Sequence, residues 1–192
     1  MSGVNRIEFC KCYISKSCFD VSGRDNIIKI GGEIFATNIQ VVGNNNRVIV
    51  EPGSKIYNSK ITVRGNGCTF LFGSESSIGS ACCVCMGEKN KIEIGRECMI
   101  ADNVNIWNSD SHPIIDKSNN KVINPGLPII IGDHVWIGKN STVLKGTVVN
   151  SGVIIGMASL VRGSLDGDAV YVGNPIRKIK ENVTWSRNYI TI

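Results

Sequence analysis

Aliphatic residues recur at every sixth position in the last third of the chain, separated by polar and small residues. From residue 131 onward these positions hold Ile131, Ile137, Val143, Val149, Ile155 and Val161. Glycine directly follows three of them, and mostly small residues stand four positions after each. A six-residue period fits a short strand followed by a turn, and three such units close a triangular coil whose next copy stacks about 4.8 Å away. The pattern predicts a parallel β-helix.

The same register continues upstream and then widens. It includes Ile94, Ile100 and Ile106, and before them Gly43, Gly65 and Gly87 stand 22 residues apart. We therefore expect the β-helix to cover residues 23–173, with wider coils in its first half and a loop at residues 108–128 where the repeat is suspended. Residues 1–22 fit no register and are predicted to cap the open end, whose unpaired strand edge would otherwise invite aggregation.

The segment after the repeat has the signals of a helix start. Asn174 is a suitable N-cap, Pro175 suits the first helical position, and Ile176, Ile179 and Val183 would share one face. The sequence predicts a C-terminal helix and tail over residues 174–192. The expected fold class is thus all-β, a parallel β-helix with a protruding loop and one short C-terminal α-helix.

Composition excludes several classes of function. The 192 residues suit one domain, and the net charge of +5 is too small and too dispersed to indicate nucleic-acid binding. No apolar run approaches the roughly 18 residues needed to cross a membrane, and no signal segment follows Met1, so a cytoplasmic location is expected. The eight cysteines are expected to be reduced, and Cys82 and Cys98 to fill the core.

The interrupted stretch holds the best candidate for catalysis. His112 lies in Asn-Ser-Asp-Ser-His-Pro, where the chain leaves the repeat. A neutral imidazole can take a proton from a hydroxyl, and Asp110 or Asp116 could fix its tautomer. The alternative is a solvated loop histidine with no chemical role.

Two further side chains point outward from the repeat near residue 135. Trp136 is costly to expose unless a ligand or a neighbouring subunit covers it, so we expect it to form a wall of a site at a subunit interface. His134 is a candidate for substrate contact, with a purely structural role as the alternative. The Cys-x-x-Cys at residues 82–85 has no second pair at zinc spacing, and no metal is expected.

Three motifs resemble the hexapeptide-repeat acyltransferases, specifically the branch that O-acetylates capsule and lipopolysaccharide sugars. They are the loop Asn-Ser-Asp-Ser-His-Pro-Ile-Ile-Asp ending at Asp116, the coil Ile-Ile-Gly-Asp-His-Val-Trp-Ile-Gly ending at Gly138, and Tyr-Val-Gly-Asn-Pro-Ile-Arg-Lys ending at Lys178. The resemblance implies a left-handed helix, a bacterial homotrimer with active sites between subunits, and acetyl-CoA as co-substrate.

The resemblance also implies roles for individual residues. His112 would deprotonate the acceptor hydroxyl for direct transfer in a ternary complex, and the backbone amide of Lys139 would hold the oxyanion. The positions that match contacts to acetyl-CoA are Lys139, Met157, Ala158, Arg162 and Gly163, with Arg177 and Lys180 near its phosphates. Asn108 and Trp107, which begin the loop, are expected to contact the acceptor.

Several alternatives remain at this point. An N-acyltransferase acting on an amino sugar or nucleotide sugar would use the same base and co-substrate. A non-catalytic β-helix that serves in assembly would leave His112 without a task. A metal-dependent hydratase would need about three converging histidines, and the chain has two. The extra coils favour a polysaccharide acceptor, such as a capsule, O-antigen or sialic acid chain.

Overall fold

A computed structural model describes residues 3–188, and all regular elements within that range are β-strands. Three sheets, A, B and C, form the faces of a solenoid, and each coil visits them in that order. Their strands are parallel, except for the last strand of sheet B. Sheet A contains β1 (Arg6–Phe9), β4 (Ile27–Ile30), β7 (Arg47–Val50), β10 (Thr69–Phe72), β13 (Lys91–Ile94), β18 (Ile129–Ile131), β21 (Val148–Val149) and β24 (Ser164–Leu165).

The other two faces are built in the same way. Sheet B contains β2 (Tyr13–Ser15), β5 (Glu33–Phe35), β8 (Lys55–Tyr57), β11 (Ser77–Ile78), β14 (Met99–Ile100), β19 (Trp136–Ile137), β22 (Ile154–Ile155), β25 (Ala169–Val172) and β26 (Arg177–Glu181). Sheet C contains β3 (Cys18–Ser22), β6 (Asn38–Asn44), β9 (Lys60–Asn66), β12 (Ala81–Glu88), β15 (Val104–Trp107), β20 (Thr142–Leu144) and β23 (Leu160–Val161). The predicted parallel β-helix is confirmed, with seven complete coils and part of an eighth.

The predicted aliphatic positions form the core. In the later coils they include Ile131, Val143 and Ile155, each at most 2% exposed. In the earlier coils the interior holds larger side chains, and both Phe70 and Phe72 are fully buried. Each aliphatic side chain stacks on its counterpart in the next coil, so dispersion and hydrophobic burial run continuously along the solenoid axis.

The 22-residue glycine spacing reflects a close approach between neighbouring coils. Gly43 and Gly65 have φ angles of 115° and 129° and pair in register. A Cβ at Gly65 would lie 1.9 Å from the carbonyl oxygen of Gly87. Only glycine combines this backbone conformation with that lack of space.

Buried asparagines add a second column beside the glycines. Asn26 and Asn46 are fully buried, and the Asn46 amide group donates to the carbonyl of Gly65 at 2.9 Å. Its oxygen accepts a hydrogen bond from the backbone N–H of Cys68 at 2.9 Å. These side chains satisfy backbone groups in the turns of the early coils, where an unpaired group would be costly.

The cysteines divide between core and surface. Cys83, Cys85 and Cys98 are buried, and burial raises the pKa of Cys98 to about 11. Cys82 is half-buried on the outer face of sheet C, so its predicted inward position is wrong. The pleat explains this, because neighbouring residues of a strand point to opposite faces.

The prediction that residues 1–22 lie outside the repeat needs correction for the described residues 3–22. β1, β2 and β3 pair in parallel with β4, β5 and β6, so this segment forms the first coil. The repeat is hard to recognise in the sequence of this segment, because an end coil has only one neighbour and buries its apolar side chains less completely. Phe9 and Tyr13 are 55% and 62% exposed. Residues 1 and 2 lie outside the described range.

The predicted C-terminal helix is also wrong. Residues 177–181 form β26, which pairs antiparallel with β25 as a hairpin. The last strand of sheet B has free backbone groups, and pairing satisfies them, whereas so short a helix would be marginal. Ile176 packs against the core, but Ile179 is 62% exposed. Residues 189–192 of the expected tail lie outside the described range.

Within residues 3–188 there is no helix of the length and apolarity needed to cross a membrane.

Candidate active site

The predicted loop leaves the solenoid at the corner between sheets C and A, here called the loop corner. Coil five ends at Trp107 and coil six begins at Ile129, so the loop covers residues 108–128 as expected. Its middle forms a small hairpin from β16 (Ile115–Asp116) and β17 (Lys121–Val122). Lys145–Gly146 and Arg162–Gly163 occupy the same corner in the next two coils.

Asn108 anchors the start of the loop. It is fully buried, and its side-chain oxygen accepts a hydrogen bond from the Met86 N–H at 2.8 Å. Its side-chain amide donates to the carbonyl of Lys91 at 3.3 Å. The predicted contact between Asn108 and the acceptor is therefore wrong, because both ends of its amide are used inside the protein.

His112 is exposed at the outer part of the loop, four residues after this anchor. Its backbone N–H donates to the carbonyl of Asp110 at 2.8 Å, and its carbonyl accepts from the Asn124 side chain at 2.9 Å. Among residues 3–188 its imidazole has no hydrogen-bond partner. The backbone is held while both ring nitrogens stay open to a substrate.

The two predicted orienting carboxylates are occupied elsewhere. Asp110 pairs with the Lys145 ammonium and accepts from Asn124 at 2.8 Å, and these contacts, led by Lys145, lower the pKa of Asp110 below its usual value. Hydrogen bonds from Ser118 lower the pKa of Asp116 in the same direction. The structure thus corrects the predicted contact of Asp110 or Asp116 with the imidazole.

A groove of about 320 Å³ lies beside the loop on the outer face of sheet C. Its lining residues are Asn105, Trp107, Ser109, Asp110, Thr142 and Leu144. The Trp107 indole is 37% exposed, and it gives the groove an apolar wall beside polar groups. Such a surface suits a sugar ring, whose faces are apolar and whose edges carry hydroxyls. Trp107 therefore lines this groove, and its contact with the acceptor stays a prediction.

Trp136 and His134 lie on and beside sheet B, together with a residue from the end of the chain. The His134 ring stacks on Trp185, with ring centres 4.3 Å apart and planes 8° from parallel. The Trp185 indole N–H donates to the carbonyl of His134 at 2.9 Å, and His134 Nε2 lies 3.1 Å from the carbonyl oxygen of Trp185. One face of His134 is covered by the tail, and its predicted substrate contact stays a prediction.

The Trp136 indole is also partly covered by this tail. It is 37% exposed, as the outward register predicts, and its ring centre lies 6.1 Å from that of Trp185. Arg187 fixes the tail further along by donating to Ser77 Oγ at 2.9 Å and to the Cys98 carbonyl at 2.7 Å. Trp136 therefore sits on a fixed support, and part of its ring is free for another contact.

Lys139 lies at the corner between sheets B and C, two residues after the end of β19. Its carbonyl accepts a hydrogen bond from the Ala158 N–H at 2.9 Å. The Lys139 N–H has no hydrogen-bond partner among the residues that the structure describes. An unpaired amide at a turn is suited to hold an oxyanion.

The positions predicted to contact acetyl-CoA fall into three places. Met157 and Ala158 lie below Lys139 at the corner between sheets B and C, and the Met157 side chain is 69% exposed. Arg162 and Gly163 lie at the loop corner, where a Cβ on Gly163 would meet nothing within 4 Å. The exposed Arg177 and Lys180 belong to β26 on sheet B. Within one chain the structure therefore brings Met157 and Ala158 close to Lys139, but it leaves the other positions at separate places.

Coil six shows how the candidate groups are divided. Trp136 and Lys139 precede β20, whereas Lys145, which contacts the loop with His112, follows it. The loop with His112 and the Lys139 N–H therefore lie at opposite corners of sheet C, beyond the two ends of β20, and Trp136 lies on a face that points away from the loop corner. A single chain separates the groups that one reaction would need together.

Four residues at these positions were not predicted from the sequence. Asn124 and Lys145 hold the loop, and Trp185 and Arg187 hold the tail. A tryptophan near the end of a polar tail is a detectable signal, since such a side chain needs burial. The partners of Asn124 depend on the path of the loop and leave no local pattern.

Comparison with known proteins identifies relatives of this chain. Residues 128–163 match the family model described as bacterial transferase hexapeptide (six repeats). Over 192 aligned residues the chain is 35% identical to a polysialic acid O-acetyltransferase of Neisseria meningitidis, an alignment that covers 88% of this chain and 89% of that protein.

Solved structures extend the likeness to the whole described fold. The polysialic acid O-acetyltransferase OatWY superposes with a TM-score of 0.92 at 30% identity, covering 98% of this chain and 91% of the other. The polySia-specific acetyltransferase NeuO superposes with a TM-score of 0.62 at 28% identity, covering 95% and 89%. The likeness therefore includes the wide early coils, which lie outside the six-repeat match.

Proposed function

The chain belongs to the hexapeptide-repeat acetyltransferases and is a saccharide O-acetyltransferase, and we propose that it transfers the acetyl group of acetyl-CoA to a hydroxyl of a sialic-acid-containing polysaccharide, with His112 as the base. The observation that carries the choice of acceptor is the likeness to OatWY across 98% of the chain. A match confined to the repeats at residues 128–163 would support only the general family.

In this reaction the His112 imidazole and the Lys139 N–H each have one role. The neutral His112 imidazole takes the proton of the acceptor hydroxyl as its oxygen attacks the thioester carbonyl. The carbonyl oxygen becomes an oxyanion, which the Lys139 N–H stabilises. The carbon–sulfur bond then breaks, the imidazolium returns its proton to the coenzyme A thiolate, and the acetyl ester remains on the sugar. This route needs no acyl-enzyme.

The residues present fit acetyl-CoA as the co-substrate. The exposed Met157 side chain offers apolar contact to the pantetheine arm, and the open backbone at Gly163 allows close approach. Arg162, Arg177 and Lys180 are exposed cations that suit the phosphates. The exposure and charge of these side chains fit the predicted assignment, and each can be tested by substitution.

We also propose a homotrimer in which each active site is shared by two subunits. The loop with His112 and the turn with Trp136 and Lys139 lie at different corners of one chain, so a second copy would supply the missing half. The loop also exposes apolar side chains that an interface would cover: Ile114, Ile115, Val122, Ile123 and Leu127 are 46–61% exposed. Symmetric closure with repeated contacts of this kind is common among soluble oligomers.

The test is an acetyl-transfer assay with radiolabelled acetyl-CoA and a panel of acceptors. Sialic-acid polymers, neutral oligosaccharides and amino sugars are compared with wild-type protein and His112→Ala. We expect transfer to the sialic-acid polymer, an alkali-labile product, and a loss of about 10³-fold or more in kcat for the variant. An alkali-stable product would indicate amide formation, and full activity of His112→Ala would contradict the assigned base.

A further inference from the structure

Asp110, Asn124 and Lys145 form a polar group around the backbone of His112, here called the clamp. We infer that Asn124 and Lys145 are positioning residues, which fix the direction of the His112 imidazole by holding its backbone to the solenoid. The inference rests on the proposed function, because it assumes that His112 is the base. It also gives Asp110 a different task from the one the sequence suggests.

Both the nitrogen and the oxygen of the Asn124 side-chain amide form hydrogen bonds to the segment that carries His112. Its amide nitrogen donates to the Asp110 carboxylate at 2.8 Å and to the His112 carbonyl at 2.9 Å. Its amide oxygen accepts a hydrogen bond from the Ile114 N–H at 2.5 Å. If the amide were flipped, its oxygen would face the two acceptors, the Asp110 carboxylate and the His112 carbonyl, and its nitrogen would face the Ile114 N–H donor. The network therefore fixes the orientation of the side chain. Asn124 thus holds the backbone on both sides of Pro113.

Lys145 connects this network to the rigid part of the molecule. It directly follows β20 in coil six, and its ammonium pairs with the Asp110 carboxylate and donates to the Asn124 carbonyl at 3.1 Å. Its side chain is 21% exposed, compared with 46% for Asp110. One lysine therefore contacts both arms of the loop, the outgoing arm at Asp110 and the returning arm at Asn124.

The clamp replaces the more familiar contact between a carboxylate and a catalytic imidazole. The His112 ring has no partner in the described chain, so its direction depends on its backbone. A displacement of about 1 Å in a reacting group costs on the order of 10²-fold in rate. Loosening either arm of the loop should lower the rate of transfer without removing the base.

The experiment uses the full-length protein in the acetyl-transfer assay. Asn124→Ala, Lys145→Met and Asp110→Asn are compared with Lys145→Arg, which keeps the charge, and with Asn119→Ala as the matched control. Asn119 also lies in the loop and bonds locally, donating to Asp116 at 2.8 Å, but it does not contact the clamp. Thermal unfolding of every variant checks that the solenoid is intact.

We expect kcat to fall about 100-fold in Asn124→Ala and about 10-fold in Lys145→Met, while KM for acetyl-CoA changes less than about twofold. Lys145→Arg should keep at least about half of the activity, and Asn119→Ala all of it. Because the clamp does not touch the ring, Asp110→Asn should lower kcat without shifting the acid limb of the pH–rate profile. The double variant Asn124→Ala/Lys145→Met should lose less than the product of the two single losses.

Each other outcome has a distinct meaning. Unchanged kcat in both Asn124→Ala and Lys145→Met, with an inactive His112→Ala, overturns the clamp and leaves the proposed function standing. An equal loss in Asn119→Ala also overturns it, because any change in the loop would then act alike. A shift of the acid limb in Asp110→Asn restores Asp110 as a direct partner of the ring. Activity in His112→Ala contradicts the proposed function itself.

Discussion

The early and late coils of the solenoid close the same triangle with different amounts of chain. In the wide coils of residues 27–94, Arg47 pairs with Thr69, which stands 22 residues later, and β9 has seven residues. In the tight coils of residues 129–172, Ile130 pairs with Val148, which stands 18 residues later, and β20 has three. The extra residues lengthen sheet C, the face beside the loop.

The two regions also fill their interiors and turns differently. The wide coils enclose Phe70 and Phe72 and use buried asparagines and close-packed glycines at their turns. The tight coils are filled mostly by isoleucine and valine, with buried Ser141 and Thr147 at their turns. A six-residue repeat is thus one way to close a coil. A wider coil also needs asparagine and glycine at particular turn positions. The loop with His112 emerges where one solution gives way to the other.

The largest difference is expected from glycine substitutions at a turn of each region. Gly65→Ala should cost about 4 kcal/mol or more, since the new Cβ would lie 1.9 Å from the Gly87 carbonyl oxygen at a φ of 129°. Gly163→Ala, with a φ of 78° and nothing within 4 Å of the Cβ, should cost about 1 kcal/mol. Chemical denaturation measures both, and equal costs would show that contact between coils is not what requires Gly65.

A smaller difference is expected from the buried polar side chains. Asn46→Ala should cost about 2 kcal/mol, because the Cys68 N–H and the Gly65 carbonyl each lose their partner in the core. Ser141→Ala in the tight coils should cost about 1 kcal/mol, since its hydroxyl makes longer contacts of 3.1 Å and 3.3 Å. Urea unfolding compares the two, and a larger cost at Ser141 would contradict the special role of asparagine in wide turns.

The smallest effect is expected from lowering the pH, which protonates carboxylates at the junction of the two regions. Hydrogen bonds lower the folded-state pKa of Asp110, led by Lys145, and of Asp133, led by Arg96. A lowered folded-state pKa stabilises the fold above the ordinary value of about 3.9, and this contribution is lost as the pH falls below it. Hydrogen exchange at pH 3, corrected for intrinsic rates, should therefore rise in residues 108–128 before it rises in the wide coils. A uniform rise would contradict this order.

The parts of the fold that repeat could be predicted from the sequence. The aliphatic register fixed which residues of the tight coils are buried, and the glycine spacing identified the wide coils without explaining them. The first coil was missed because its apolar residues, such as Phe9 and Tyr13, stay exposed at the end of the stack. The C-terminal helix was a local inference, and pairing with the edge of β25 outweighed it.

The candidate active site likewise has features that could be predicted from the sequence and features that could not. The loop boundaries, the exposure of His112 and the outward direction of Trp136 follow from where the repeat stops and from the strand register. The partners of Asp110 and the burial of Asn108 depend on contacts with Lys145 and Met86, which stand 35 and 22 residues away in the chain. Those contacts are set by the folded path of the loop and leave no mark in the neighbouring sequence.

The central claim is that one chain holds only half of an active site, and mixing two variants that are each altered in a different half tests it most directly. His112→Ala and Trp136→Ala are purified separately, dissociated, combined in equal amounts and reassembled, with each variant treated alone as the control. If His112 of one subunit acts beside Trp136 of the next, random trimers restore wild-type pairs at about one quarter of the sites, and about that share of activity returns. No recovery above the separate variants, in mixed trimers verified by mass, would contradict the shared site.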